Sequence, residues 1–113
     1  MERYSVLLTV YIKVKREDLK LSIESMLNQT VKPDQFVIVY DGPVTKDVKD
    51  LVMDFVHKNE GVFDVISLPT NQGLAAALNE GLKACRNDLI ARMDSDDYSK
   101  PQRCEIPRRH RRQ

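Results

Sequence analysis

The stretch Asp94-Ser95-Asp96-Asp97 places three carboxylates within four residues. Such a cluster repels itself unless a cation, hydrogen-bond donors or water compensate it. A hard divalent cation answers that repulsion directly, because Mg²⁺ and Mn²⁺ take oxygen ligands, use one or two carboxylates, and complete their shell with water and substrate phosphates. As a bare pattern the cluster also describes a solvated acidic turn. Its place after Leu89 to Met93, a mainly apolar stretch that reads as a strand, favours the metal reading, since that strand delivers the acids to a sheet edge rather than to an open surface.

A second acid, Asp41, follows the apolar and aromatic run Phe36 to Tyr40 and precedes Gly42-Pro43. A carboxylate there can accept a hydrogen bond from a base N–H or a ribose hydroxyl. An Asx-turn stabilising the bend is the alternative. Asn71 and Gly73 sit in the polar stretch Pro69-Thr70-Asn71-Gln72-Gly73, which fits a simple loop or a loop whose backbone approaches a ligand closely. The helix that follows would aim its N-terminus, and hence its free N–H groups, at the same edge and favour phosphate.

These residues need a frame that brings them together. Ser5 to Val10 is short, apolar and β-rich, suited to a strand buried on both faces. From Arg16 to Leu27 the apolar residues Leu19, Ile23, Met26 and Leu27 recur at helical spacing, with Glu17 and Asp18 in the first turn where the helix dipole favours acids. Phe36 to Tyr40 is a second buried strand. Thr45 is placed to cap a helix carrying Val48, Leu51, Val52, Phe55 and Val56 on one side. Val62 to Leu68 reads as a third strand. A helix over 74–85 puts Leu74, Leu78 and Leu82 on one face, with Ala75, Ala76 and Ala77 permitting close backbone approach, and Leu89 to Met93 is a fourth strand.

Strands alternating with helices predict an α/β fold, a mostly parallel central sheet with right-handed crossovers, flanked by helices in three Rossmann-like layers. Ligands of such sheets bind beyond the carboxyl ends of the strands, where Tyr11, Asp41 and the acidic cluster all fall. Residues 1–107 read as one domain and 108–113 as a basic tail.

Composition agrees with a single ordinary domain: 113 residues, 42% hydrophobic and 31% charged. No apolar run approaches the roughly 20 residues that span a bilayer, and Met1 to Ser5 lacks the order of a signal peptide, so a cytoplasmic address without a transmembrane segment is expected. Cys85 and Cys104 lack metal or disulfide spacing and read as free thiols. The net charge of +1 hides an acidic body, because Arg108, Arg109, Arg111 and Arg112 crowd the last six residues. That tail reads as a solvated end rather than a nucleic-acid arm. No G-x-G-x-x-G, G-x-x-x-x-G-K-[ST] or G-x-S-x-G occurs, which argues against dinucleotide, P-loop and acyl-transfer chemistry. His57 and His110 read as solvated.

The ordered set Ser5 through Leu27-Asn28-Gln29-Thr30, Phe36-Val37-Ile38-Val39-Tyr40-Asp41-Gly42, Asn71-Gln72-Gly73 leading to Asn79-Glu80-Gly81, and Ala91-Arg92-Met93-Asp94-Ser95-Asp96-Asp97 resembles family 2 glycosyltransferases of the GT-A fold. The resemblance runs from about residue 5 to residue 103. It implies a site for a nucleoside-diphosphate sugar, a UDP-sugar being the commonest. Thr9, Val10 and Tyr11 would line the base pocket, Asp41 would contact the base, Asp94 would lie near the ribose, and Arg92 would be a further binding residue. Asp96 would be the metal-contacting acid of a D-x-D motif, holding Mn²⁺ or Mg²⁺ against the diphosphate so that the leaving group departs more easily. The acceptor implied is a glycan or lipid-linked hydroxyl in polysaccharide biosynthesis.

The chain departs from the family pattern at Thr9, where proline is usual, at Ile12, where asparagine is usual, at Tyr40, where relatives often carry a second acid, and at Pro43 in place of serine. These departures are expected to touch the base pocket. The base that accepts the proton from the acceptor hydroxyl in inverting transfer is expected downstream of residue 113. Pro107 interrupts the helix expected after Arg103, and an arginine-rich tail follows, which reads as a truncated end. A chain of this kind would keep the donor fold with little or no transferase activity, and a non-catalytic nucleotide-sugar-binding module is the alternative. A sheet edge left open by truncation would suit self-association. Two other readings fit less well: a dehalogenase-type phosphatase would want its D-x-D on the first strand, and a receiver-like domain would want a lysine-bearing strand after the acids.

Overall fold

Tyr4–Val10 (β1) is buried at every position, which the sequence permits because all but Ser5 and Thr9 are apolar or aromatic. The computed structural model, which describes residues 3–94, explains that burial by topology. β1 lies inside a four-stranded sheet of order β3-β2-β1-β4, where β2 is Gln35–Tyr40, β3 is Phe63–Ser67 and β4 is Leu89–Asp94. Every pairing is parallel. Parallel strands need long crossovers. Helices supply them: α1 (Arg16–Leu27), α2 (Lys46–Lys58) and α3 (Leu74–Ala84).

The side-chain period of two divides the sheet into two apolar layers. Tyr4, Val6, Leu8 and Val10 join Phe36, Ile38 and Tyr40 in a core with Leu19, Ile23 and Met26 of α1 and Val48, Leu51 and Val52 of α2. Leu7, Val37, Val39 and Ile90 face the other way, onto Ala77 and Cys85. Truncating a fully buried side chain such as Leu8 to alanine costs about 2–5 kcal/mol through lost burial and the cavity left behind. Phe63 stacks on Phe36, its register partner on β2, at a centroid distance of 4.9 Å, and Phe55 of α2 meets it at 6.2 Å. These rings fasten the edge strand β3 to the sheet and to α2.

α3 corrects one detail of the sequence reading. Its buried stripe is Ala77 and Gly81, while Leu78 and Leu82 flank it half-buried and Leu74 is exposed. The helix sits so close to the sheet that a Cβ at Gly81 would lie 2.2 Å from Leu7 Cδ1. Small residues therefore take the contact and the leucines wedge to either side. Thr45 does occupy the N-cap position of α2, but its side chain makes no capping bond; the hydroxyl donates to Asp47 instead and holds that carboxyl below its usual range.

The amino ends of the strands are tied by a buried polar network. Gln35, 1% exposed, accepts from Ser5 Oγ at 2.6 Å and from the Arg86 backbone N–H at 2.7 Å through Oε1. Its Nε2 donates to Asp64 Oδ2 and to the Ala84 carbonyl, both at 2.8 Å. Asn87 Nδ2 donates to Ser5 Oγ and to Asp34 Oδ1. One side chain thus links β1, β2, β3, the end of α3 and the entry to β4. Cys85 is buried, and its thiol donates to the Gly81 carbonyl at 3.4 Å. Among the described residues no helix is long and apolar enough to cross a membrane. Cys104, His110 and the expected boundary between 107 and 108 lie outside the described residues.

Candidate functional site

A cavity of about 470 Å³ opens at the carboxyl ends of β1 and β2, the opposite end of the sheet from the Gln35 network. Thr9, Val10 and Tyr11 line it from β1 and its exit, and Lys13, Val14, Lys15 and Asp18 from the loop and first turn of α1. Asp41 enters from the end of β2, and Asn71, Gly73 and Leu74 from the start of α3. Such a cavity is expected here. The chain runs outward from β1 to β3 and then crosses to β4, so the crossovers part beside β1 and leave a crevice at its carboxyl end.

Asp41 is the best-fixed polar group in this wall. Its backbone N–H donates to the Val10 carbonyl at 2.7 Å, which continues the β1–β2 ladder by one residue. Its Oδ1 accepts from the Gln72 backbone N–H at 2.8 Å, and its carbonyl accepts from Asn71 Nδ2 at 3.3 Å. The Asx-turn alternative does not operate, because the residue two positions on is Pro43, which has no N–H to give. Instead the carboxylate clamps a loop 31 residues downstream. Gly42 makes the clamp sterically possible: it adopts φ +88°, and a Cβ there would stand 2.5 Å from the Asn71 backbone nitrogen.

The structure brings Thr9, Val10, Tyr11, Asp41, Asn71 and Gly73 into one wall. Arg92 is placed elsewhere. It alternates with Met93 and Ala91 onto the α3 side of β4, where it lines a separate groove of about 290 Å³ with Leu7, Leu78 and Ile90. Asp94 ends β4 as the register partner of Thr9, so its backbone stands beside β1 on the side away from β2. The Asp94 side chain and all of Asp96 lie outside the described positions. Among the described residues no three His, Cys, Asp or Glu side chains converge to hold a metal ion.

Of the four departures from the family pattern, Thr9 alone lines the cavity. Tyr40 points into the α1–α2 core, 5% exposed, and burial pushes its phenol up to about 12. Parity explains this, since adjacent residues of a strand face opposite layers and Asp41 takes the other side. Sequence reasoning missed Lys13, Val14, Lys15, Asp18 and Leu74 as lining residues. Proximity to Tyr11 and Gly73 along the chain was the available signal.

Comparison with known proteins identifies the family and the fold. The chain is 40% identical over 102 residues to the amylovoran biosynthesis glycosyltransferase AmsE of Erwinia amylovora, which covers 90% of this chain and 38% of that relative. It therefore spans well under half of the relative's length. Among solved structures, S. aureus TarS 1–349 in complex with UDP superposes with a TM-score of 0.76 at 23% identity, over 92% of this chain and 30% of that one. The mannosyltransferase PcManGT of Pyrobaculum calidifontis, in complex with GDP-Man and Mn²⁺, gives 0.71 at 17% identity, over 83% and 27%. These two likenesses establish the GT-A fold. The sequence model described as Glycosyl transferase family 2 matches residues 5–106, nearly the whole chain, and on that match the chain belongs to glycosyl transferase family 2.

Proposed function

We propose that this chain forms the donor pocket of an inverting glycosyltransferase, which moves a sugar from a metal-bound nucleoside-diphosphate sugar to an acceptor hydroxyl in polysaccharide or glycan biosynthesis. The observation that carries the reading is Asp41. Its carboxylate is anchored through one oxygen by Gln72 in the wall of a cavity at the sheet's crevice, and its second oxygen has no partner among the described residues. A base N–H or ribose hydroxyl suits that oxygen.

Thr9, Val10 and Tyr11 would enclose the base, Tyr11 offering an aromatic ring that is 47% exposed and free to stack. Asn71 would hold the loop and Gly73 would let the first turn of α3 approach the phosphates. Asp94 would approach the ribose from the far side of β1, given its register with Thr9. Arg92 would serve from the neighbouring groove. The donor set Asp94-Ser95-Asp96-Asp97 fits a hard cation, with Asp96 holding Mn²⁺ or Mg²⁺, and when bound the cation would neutralise charge on the departing diphosphate. The chain's own residues hold the nucleotide while the acceptor oxygen bonds to the anomeric carbon and the bond to the diphosphate breaks. That TarS was solved with UDP and PcManGT with GDP-Man and Mn²⁺ supports both the ligand class and the cation.

The test is calorimetric titration of UDP and GDP into the chain, with and without Mn²⁺, for the native protein and for Asp96→Ala. Nucleotide binding strengthened by Mn²⁺, with that gain lost in Asp96→Ala, is the expected result. Failure of both nucleotides to bind under any condition would overturn the reading.

A further inference from the structure

Lys13 and Lys15 line the cavity together with two carboxylates, Asp18 and Asp41. Among the described residues neither ammonium group makes an ion pair or a hydrogen bond; the same holds for Lys20, Lys32 and Lys49, but of these five only Lys13 and Lys15 line the cavity. The two lysines alternate with Ile12 and Val14 in the loop between β1 and α1, which a bond from the Val14 N–H to the Tyr11 carbonyl at 3.1 Å folds into a turn. Two ammonium groups two residues apart repel each other. A polyanion bound between them removes that repulsion, and a concave wall focuses their field on whatever enters.

Resting on the nucleotide reading above, we infer that Lys13 and Lys15 recognise the diphosphate of the nucleotide and do so without the metal. The lining offers both signs: Asp41, anchored by Gln72, suits the neutral hydrogen-bond donors of a base or ribose, the lysines suit the anionic end, and Asp18 of α1 stands in the same lining. An ammonium group serves phosphate as a mobile point charge with three donors, which asks less of geometry than a guanidinium fork would. Both side chains are exposed, so each contributes modestly and the two act together. Diphosphate recognition in this chain then has a component carried by protein alone, separate from any contribution of Asp96.

The test compares uridine with UDP, and guanosine with GDP, by calorimetry on the full chain in EDTA. It uses the native protein, Lys13→Met, Lys15→Met and the double variant, at low and high salt. Expected is a native preference of about tenfold or more for diphosphate over nucleoside, a loss of roughly three- to fivefold from each single substitution, and a preference erased in the double variant and shrunk by salt. Nucleoside affinity is measured as the reference in every variant, so the quantity read is the ratio of diphosphate to nucleoside affinity. A double variant that keeps the diphosphate preference overturns the inference. So does a native chain that binds nucleoside and diphosphate equally in EDTA, and that outcome leaves the nucleotide pocket standing. Absence of binding by every ligand, with metal restored, overturns both.

Discussion

The Asp41 carboxylate accepts a hydrogen bond from the Gln72 backbone N–H at 2.8 Å, so the end of β2 and the loop before α3 are one unit although 31 residues separate them. Two substitutions separate the structural from the ligand role. Asp41→Asn keeps an oxygen for Gln72 but turns the second oxygen into an NH₂ group. It should leave the urea midpoint almost unchanged and weaken nucleotide binding roughly tenfold or more, the worth of one hydrogen bond to a charged group. Asp41→Ala should lose both, with about 1–3 kcal/mol of stability going with the unpaired Gln72 N–H. Titration calorimetry beside urea unfolding reads the two effects.

Gly42 and Gly61 share a left-handed backbone, φ +88° and +81°, but only Gly42 faces another segment. A Cβ at Gly61 meets nothing within 4 Å, whereas one at Gly42 meets the backbone of Thr70 and Asn71. Gly61→Ala should cost only the conformational strain, about 1 kcal/mol. Gly42→Ala should cost more, about 2–4 kcal/mol, because the Asn71 loop must retreat and release Asp41. Nucleotide affinity should fall in Gly42→Ala alone. Equal effects of the two on unfolding would contradict the close approach.

Gln35→Met preserves volume and removes four hydrogen bonds at the amino ends of the strands. The Arg86 N–H and the Ala84 carbonyl, each in a part-buried hydrogen bond, lose their partner, and a loss of about 1–3 kcal/mol is expected from chemical unfolding. Nucleotide binding by the protein that remains folded should match the native value, because the site lies at the opposite end of the sheet.

Tyr40 makes stability depend on alkali. Its phenol is held neutral by burial, up to about 12 against an ordinary 10.0. Between those values the unfolded chain has released the proton and the folded chain has kept it, so unfolding is favoured as pH rises. The stabilisation is present in full below pH 10 and is lost on the way to pH 12. Tyr40→Phe should flatten that alkaline decline in thermal unfolding, and an ultraviolet titration of the native protein should show a late phenol that the substitution removes.

The amino-acid sequence by itself determined the elements and their order. Short apolar, β-rich runs, 3.6-residue periodicity in α2, and polar loop residues between the elements are local properties, and α1 and α3 begin where that reading put them. It also placed Tyr11 and Asp41 at the sheet's end, since a residue directly after a buried strand must emerge there, whereas Thr9 and Val10 were named only through the family resemblance. Tertiary structure alone decided which of them meet. Strand order put β4 beside β1, so that Thr9 pairs with Asp94, and strand parity sent Tyr40 into the core and Arg92 to another groove. The bond between Asp41 and Gln72 and the contact between Gly42 and Asn71 join segments far apart in sequence. No local pattern encodes them, because they follow from where two independent crossovers happen to return to the sheet.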